Sequence, residues 1–253
     1  MARTKLDTQL YEIRTRILHL GTLVETALEQ AIAALQSRNL ALCGQVIEAD
    51  TTIDEVRSEV EQLAFESLTL QQPLGGYDLR FLSSAFSIAG DLERMGDNAE
   101  GIAQLLLRMD PLRQDGVSQD SDLASDGAQS ERRHPPDHAL TEASIVSRLV
   151  DLGHEALYVL QGMLHAFEQS DAGAARTFWH KDDVVDVRYQ RIRHDLMEML
   201  TAIHAIPALQ QDARFLQRMT YWLWIAHNLE RIGDHCTTIC KRIVFILEGE
   251  ATI

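Results

Sequence analysis

The chain has 253 residues, 45% of them hydrophobic and 6% aromatic, enough for two domains of roughly 100 to 200 residues each and better suited to packed helices than to a turn-rich β-fold. Lys and Arg number 23 against 38 Asp and Glu, a formal net charge of −15; such a field repels nucleic-acid phosphates and anionic lipid and attracts cations and basic protein surfaces. No run nears the roughly 18 apolar residues of a membrane span and the opening MARTKLDTQLYEIR has no apolar signal core, so neither nucleic-acid binding nor membrane insertion is expected and a cytoplasmic location is.

In chain order, Ile13, Ile17, Leu20, Val24, Ala27, Leu28, Ala31 and Leu35 step by three and four, which predicts a helix over 7–37. A break at Ser37 to Asn39 leads to a second helix over 40–71, and the turn Pro73-Leu-Gly-Gly76 to a third over 77–109, where Ile88, Leu92, Met95, Ala99, Ile102 and Leu106 form the apolar stripe. Residues 110–138 change to an Asp-, Ser-, Gly- and Gln-rich text that cannot bury enough surface to offset ordering, which predicts a flexible acidic linker. Helices over 139–169, 173–205 and 209–248 follow, with breaks at Ser170 to Gly173 and at Pro207. Helices this long joined by short turns pack as antiparallel bundles. The expected fold is all-α: two tandem antiparallel three-helix bundles, 1–109 and 139–253.

The halves repeat one another. Asp91-Leu-Glu-Arg-Met-Gly-Asp97 returns as Asn228-Leu-Glu-Arg-Ile-Gly-Asp234, offset by 137; Leu20-Gly21 returns as Leu152-Gly153, and Asp50-xxx-Asp54 as Asp182-xxx-Asp186, both offset by 132. A pseudo-twofold internal repeat follows.

Glu93 and Asp97 share one face of the third helix, as Glu230 and Asp234 share one face of the sixth. Asp50 and Asp54 repeat the arrangement on the second helix, and Asp182 and Asp186 on the fifth. Like charges at this spacing oppose helix formation slightly, so compensation is expected. In an antiparallel hairpin, residues at one height have numbers with a constant sum. The pairs 50/97 and 54/93 share the sum 147, centred on the Pro73-Leu74 turn, and 182/234 and 186/230 share 416, centred beside Pro207. Each half therefore sets four carboxylates level across two helices, a set of hard oxygen ligands suited to Fe, Mn, Mg or Ca, and to Zn if His or water completes the shell. Solvated acidic faces neutralised by Arg94, Arg231 or other cations are the competing reading.

Gly96 and Gly233 sit inside helices at a cost of about 1 kcal/mol each relative to Ala, which points to close approach of a neighbouring helix or of hydrated metal. His235 and His180 are possible nitrogen donors to the second set. Cys236 and Cys240 match Ala99 and Ala103 in the first half and, with Cys43, are read as small core residues of a reducing compartment. Trp222 and Trp224, two apart, cannot share a helix face, so one of them should turn toward solvent or a partner.

The doubled Leu-Glu-Arg-Met/Ile-Gly-Asp motif, the helix starts Asp78-Leu-Arg-Phe and Asp212-Ala-Arg-Phe, and the two-bundle layout resemble the PhoU family of phosphate-uptake regulators over nearly all of residues 7–248. The resemblance implies a non-enzymatic homodimeric regulator that works with the phosphate ABC transporter ATPase and a phosphate-sensing histidine kinase. It would repress starvation responses and restrain uptake when phosphate is plentiful. It also implies metal binding through acidic motifs that map onto Asp50, Asp54, Glu93, Asp97, Asp182, Asp186, Glu230 and Asp234. Two departures stand out: a linker longer than is usual in the family, and Asn228 in place of the first half's Asp91, which lowers the acidity of the second site. A carboxylate-bridged enzyme or ferroxidase is a different expectation, but its usual Glu-x-x-His ligands occur only at Glu131 and His134, inside the Pro-flanked linker. A metal-free helical scaffold also stays open.

Overall fold

A computed structural model describes residues 2–70, 73–114, 140–203 and 213–249. The described residues form helices α1 (Ala2–Ser37), α2 (Leu40–Leu70), α3 (Gly76–Met109), α4 (Pro111–Gln114), α5 (Glu142–Gln169), α6 (Ala172–Trp179), α7 (Asp182–Ile203) and α8 (Ala213–Glu248), with no strand among them. The helices α1, α2 and α3 pack on one another, as do α5, α7 and α8 with α6 alongside.

The breaks are set by local chemistry that the repeat duplicates. Arg38 and Ser170, 132 apart, both take left-handed backbone, with φ of 58° and 53°. After α5 the amides of Ser170 and Asp171 return to the carbonyls of Phe167 and Ala166 at 3.2 and 3.0 Å, closing the helix end in the Schellman manner. The next residue then caps the following helix: Asn39 Oδ1 accepts from the Ala41 amide at 3.1 Å, and Asp171 Oδ1 from the Ala174 amide at 2.9 Å. Thr141 starts α5 by exchanging hydrogen bonds with Ser144, three residues later than periodicity alone suggests. At the other end α1 begins at Ala2 rather than 7, because buried Leu6 extends the apolar stripe by another turn.

Two expectations are corrected. The single helix predicted over 173–205 is two, α6 and α7, separated at His180 and Lys181, where three-residue hydrogen bonds tighten the chain. Phe178 fills the notch left by Gly162 of α5, while Trp179 lies under Lys241 of α8. The predicted linker also begins with the short helix α4, held by a hydrogen bond of 3.4 Å from Arg218 to the Leu112 carbonyl. The rest of the linker and the Pro207 turn lie outside the described residues.

The halves meet along two antiparallel seams, α1 with α5 and α3 with α8, and one hydrophobic core runs through both. The first seam is reciprocal. Leu164 lies over Gly21, and Ile32, its repeat equivalent, lies over Gly153. Arg14 of α1 donates to the Phe167 carbonyl and to Ser170 Oγ at the end of α5, and Arg80 of α3 donates to the Ile246 carbonyl at the end of α8 at 3.2 and 3.1 Å. Both guanidinia face helix C-termini, where cations are favoured.

Candidate metal centre

The carboxylates of the first half meet across α2 and α3, and those of the second across α7 and α8. In the first half, Gly96 of α3 sits over Ile53 and Asp50 of α2. Burial, then the charges of Glu100, Asp97, Asp54 and Glu93, push the Asp50 carboxyl up to about 6. Asp97 and Glu93 are also raised, each by burial first and then by a neighbouring carboxylate, Asp54 and Asp97 respectively. Arg57 enters from the next turn of α2. Its Nε lies 3.8 Å from Glu93 and 4.0 Å from Asp54, and its Nη1 donates to Glu61 at 2.9 Å.

The second set is tighter. One carboxylate oxygen each from Asp182, Asp186 and Asp234 lie within 4.8 Å of one another, the only such group of three among the described residues, and these side chains could hold a metal ion. Glu230 lies beside them at the same level, with His227 Nδ1 3.2 Å from its Oε2. Burial first, opposed by the Thr237 hydroxyl and reinforced by Asp186, Asp234 and Glu230, pushes Asp182 up to about 6. Asp186 and Glu230 are raised by burial and then by Asp234. A β-carbon at Gly233 would stand 2.5 Å from Asp182 Oδ1, so glycine is what admits this carboxylate between the helices.

The donor set fits a hard divalent cation. Asp182 Oδ1 is buried with no hydrogen bond of good geometry, and a buried acceptor left in this way is costly unless something fills its lone pairs. An all-carboxylate set with one imidazole nearby suits Mn, Fe or Mg, and Zn with that nitrogen.

The histidines singled out in the sequence do other work. His180 is exposed and stacks on Trp179. His235 is buried and turns away to the other half, its Nδ1 3.1 Å from Asp91 Oδ1 across the α3–α8 seam. Replacing His235 by Asn is expected to lower stability by about 1 to 3 kcal/mol because the Asp91 carboxylate is left in a buried seam; adding Asp91→Asn should recover most of that loss in thermal unfolding. The residue that sequence reading missed is His227. The sum that pairs 186 with 230 also pairs 189 with 227, and the Tyr189 and His227 rings are indeed 6.3 Å apart.

Cys43, Cys236 and Cys240 are free and buried; burial pushes the Cys240 thiol up to about 12 and Cys236 higher than usual, which fits core residues. Trp222 is buried and donates to Glu142 at 3.0 Å, whereas Trp224 is 54% exposed. Glu131 and His134 lie outside the described residues. No described helix is long and apolar enough to cross a membrane.

The model of the PhoU domain matches residues 17–106 and again 149–243, once in each half. Among curated proteins, a phosphate-specific transport system accessory protein PhoU homolog of Clostridium acetobutylicum is 24% identical over 99% of this chain and 97% of its own length. Its counterpart in Caulobacter vibrioides is 29% identical over 96% and 89%. The crystal structure of the phosphate transport system regulatory protein PhoU from Streptococcus pneumoniae superposes with a TM-score of 0.74 at 26% identity, covering 98% of this chain and 99% of that one. The fold is also that of PhoU from Pseudomonas aeruginosa, with a TM-score of 0.75 and coverage of 96% and 99%. With the domain matched twice along most of its length, the chain belongs to the PhoU domain family.

Proposed function

We propose that this chain is a non-enzymatic accessory protein of phosphate-specific transport that represses phosphate uptake and phosphate-starvation signalling when phosphate is plentiful. It acts in the cytoplasm as a homodimeric adaptor between the phosphate ABC transporter ATPase and a sensor histidine kinase. Its two structural repeats, 1–109 and 139–253, are joined by the acidic segment 110–138, and each presents an acidic face for divalent metal: Asp50, Asp54, Glu93 and Asp97 on one, Asp182, Asp186, Glu230 and Asp234 on the other. Family membership along nearly the whole chain, with relatives named for phosphate-specific transport, supports the regulatory role. The observation that carries the metal reading is the closely set Asp182, Asp186 and Asp234 with a buried, unpartnered Asp182 oxygen. Bound metal, whether Fe, Mn, Zn or Mg, would neutralise these faces and give a partner a surface of fixed charge.

Two measurements test this reading. Protein purified without a metal-binding tag should retain metal near stoichiometrically by mass spectrometry, and Glu93→Ala, Asp97→Ala, Glu230→Ala, Asp234→Ala combined should lose it with helicity intact. Equal metal content in both would sink the metal role. Separately, immobilised protein should capture the transporter ATPase and the kinase, and failure to retain either would remove the adaptor role.

A further inference from the structure

The two acidic faces come from one repeat, yet they differ in the residue three positions after each acidic pair on its first helix. In the first half it is Arg57, and 132 positions later it is Tyr189. Arg57 is partly buried between α2 and α3, with Glu93 and Asp54 at 3.8 and 4.0 Å and Glu61 at 2.9 Å. A guanidinium stays charged at every accessible pH. Tyr189 brings no charge and packs near His227 instead.

Other cations fall on both faces, and the second also has His227, with its Nδ1 3.2 Å from Glu230. Arg94 and Arg231 are repeat equivalents on α3 and α8, and each makes one 3.3 Å pair within its own helix, with Asp91 and Asp234 respectively. Both are more exposed than Arg57, so withdrawing them into water is easier. Each face also holds one further carboxylate, Glu100 beside Asp50 and Asp97 on the first and Asp183 beside Asp186 on the second. Even so, no three carboxylates of the first face approach one another within 4.8 Å, as Asp182, Asp186 and Asp234 do.

On the reading that these faces take divalent metal, we infer that Arg57 is a built-in counter-cation of the first acidic face, which weakens metal binding there and leaves the second face as the preferred site. A fixed positive charge about 4 Å from two would-be ligands repels an incoming dication directly. Removing that charge costs the Arg57–Glu61 pair and uncovers carboxylates already crowded by like charge. On the second face the guanidinium paired to the set is the more exposed Arg231, which reaches Asp234 alone rather than two ligands, and an Asp182 oxygen stands unfilled.

Titration of chelator-stripped full-length protein with Mn²⁺, reading the free ion by electron paramagnetic resonance, tests the inference. The native protein should show one tight class of sites and a second class at least tenfold weaker. Asp186→Asn with Asp234→Asn should abolish the tight class and leave the weak one. On that background Arg57→Gln should tighten the remaining class at least fivefold, whereas Arg57→Lys, which keeps the charge, should not; circular dichroism checks that all variants stay helical. Equal affinity at the two faces, or an Arg57→Gln variant with unchanged affinity, overturns the inference. If native protein binds no Mn²⁺, the metal reading itself fails and Arg57→Gln in the otherwise native chain decides: a new class of sites upholds the role of Arg57, and its absence overturns it.

Discussion

Metal-free protein carrying Asp50→Asn and Asp182→Asn should be more stable than the native chain at pH 7.5, with a melting temperature higher by several degrees. Both carboxyls are pushed up to about 6 by burial and by their acidic neighbours, so the fold favours their protonated forms. A raised carboxyl contributes stability in full below its unfolded value, near 4, and loses it as pH rises through about 6. At pH 7.5 each ionised group therefore opposes folding. Both side chains keep some contact with water, so screening reduces the effect to about 1 kcal/mol apiece, or about 2 kcal/mol for the pair. At this chain length each kcal/mol moves the melting temperature by roughly 2 to 4 °C. The advantage of the variant should vanish near pH 4, where the native carboxyls are protonated. Saturating Mn²⁺ should reverse the order by stabilising only the native chain, through preferential binding to the folded state. Thermal unfolding in chelator and in Mn²⁺ at pH 4, 6 and 7.5 measures all three effects, and a lower melting temperature for the variant in chelator at pH 7.5 would contradict the assignment of these carboxylates as a source of strain.

Gly21→Val and Gly153→Val should each destabilise the protein by about 1 to 3 kcal/mol, the range for overpacking a filled core, and the double variant by about the sum. A β-carbon at Gly21 would come 2.3 Å from Leu164 Cδ2, and one at Gly153 would come 2.8 Å from Ile32 Cγ1. The two contacts are separated by eleven residues along α1, about 16 Å of helix, so they are far enough apart to add. Trimming the facing knob discriminates this explanation from a general loss of helix stability. Leu164→Ala should relieve Gly21→Val but not Gly153→Val, and Ile32→Ala the reverse. Urea unfolding of the single and paired variants checks it; equal relief by either alanine would show that the seam is not held by these two reciprocal contacts.

Much of the acidic site is legible in the sequence. Short turns make the numbers at one height sum to a constant, so the alignment of Asp50 with Asp97 and of Asp186 with Glu230 followed from the positions of two turns and the helical rise. The break that separates α6 from α7 was not legible, because residues 173–205 keep an unbroken helical text. Its cause lies across space, in the notch at Gly162 that receives Phe178 and the α8 lysine that covers Trp179. Arg57 and Tyr189 were visible as letters, but their weight depends on how near they come to the carboxylates.

The sequence alone therefore determined that the chain is helical and duplicated, which residues line the apolar stripes of the first and third helices, and which carboxylates of neighbouring helices come together. Each of these is a property of one helix, or of two helices tied by a short turn, and periodicity and chain length constrain both. Tertiary structure decided how the halves meet: Gly21 under Leu164, Gly153 under Ile32, and Asp91 against His235. No short connection links α1 to α5 or α3 to α8. An apolar or polar stripe says that a face will be covered, but only the packing of the whole chain selects what covers it.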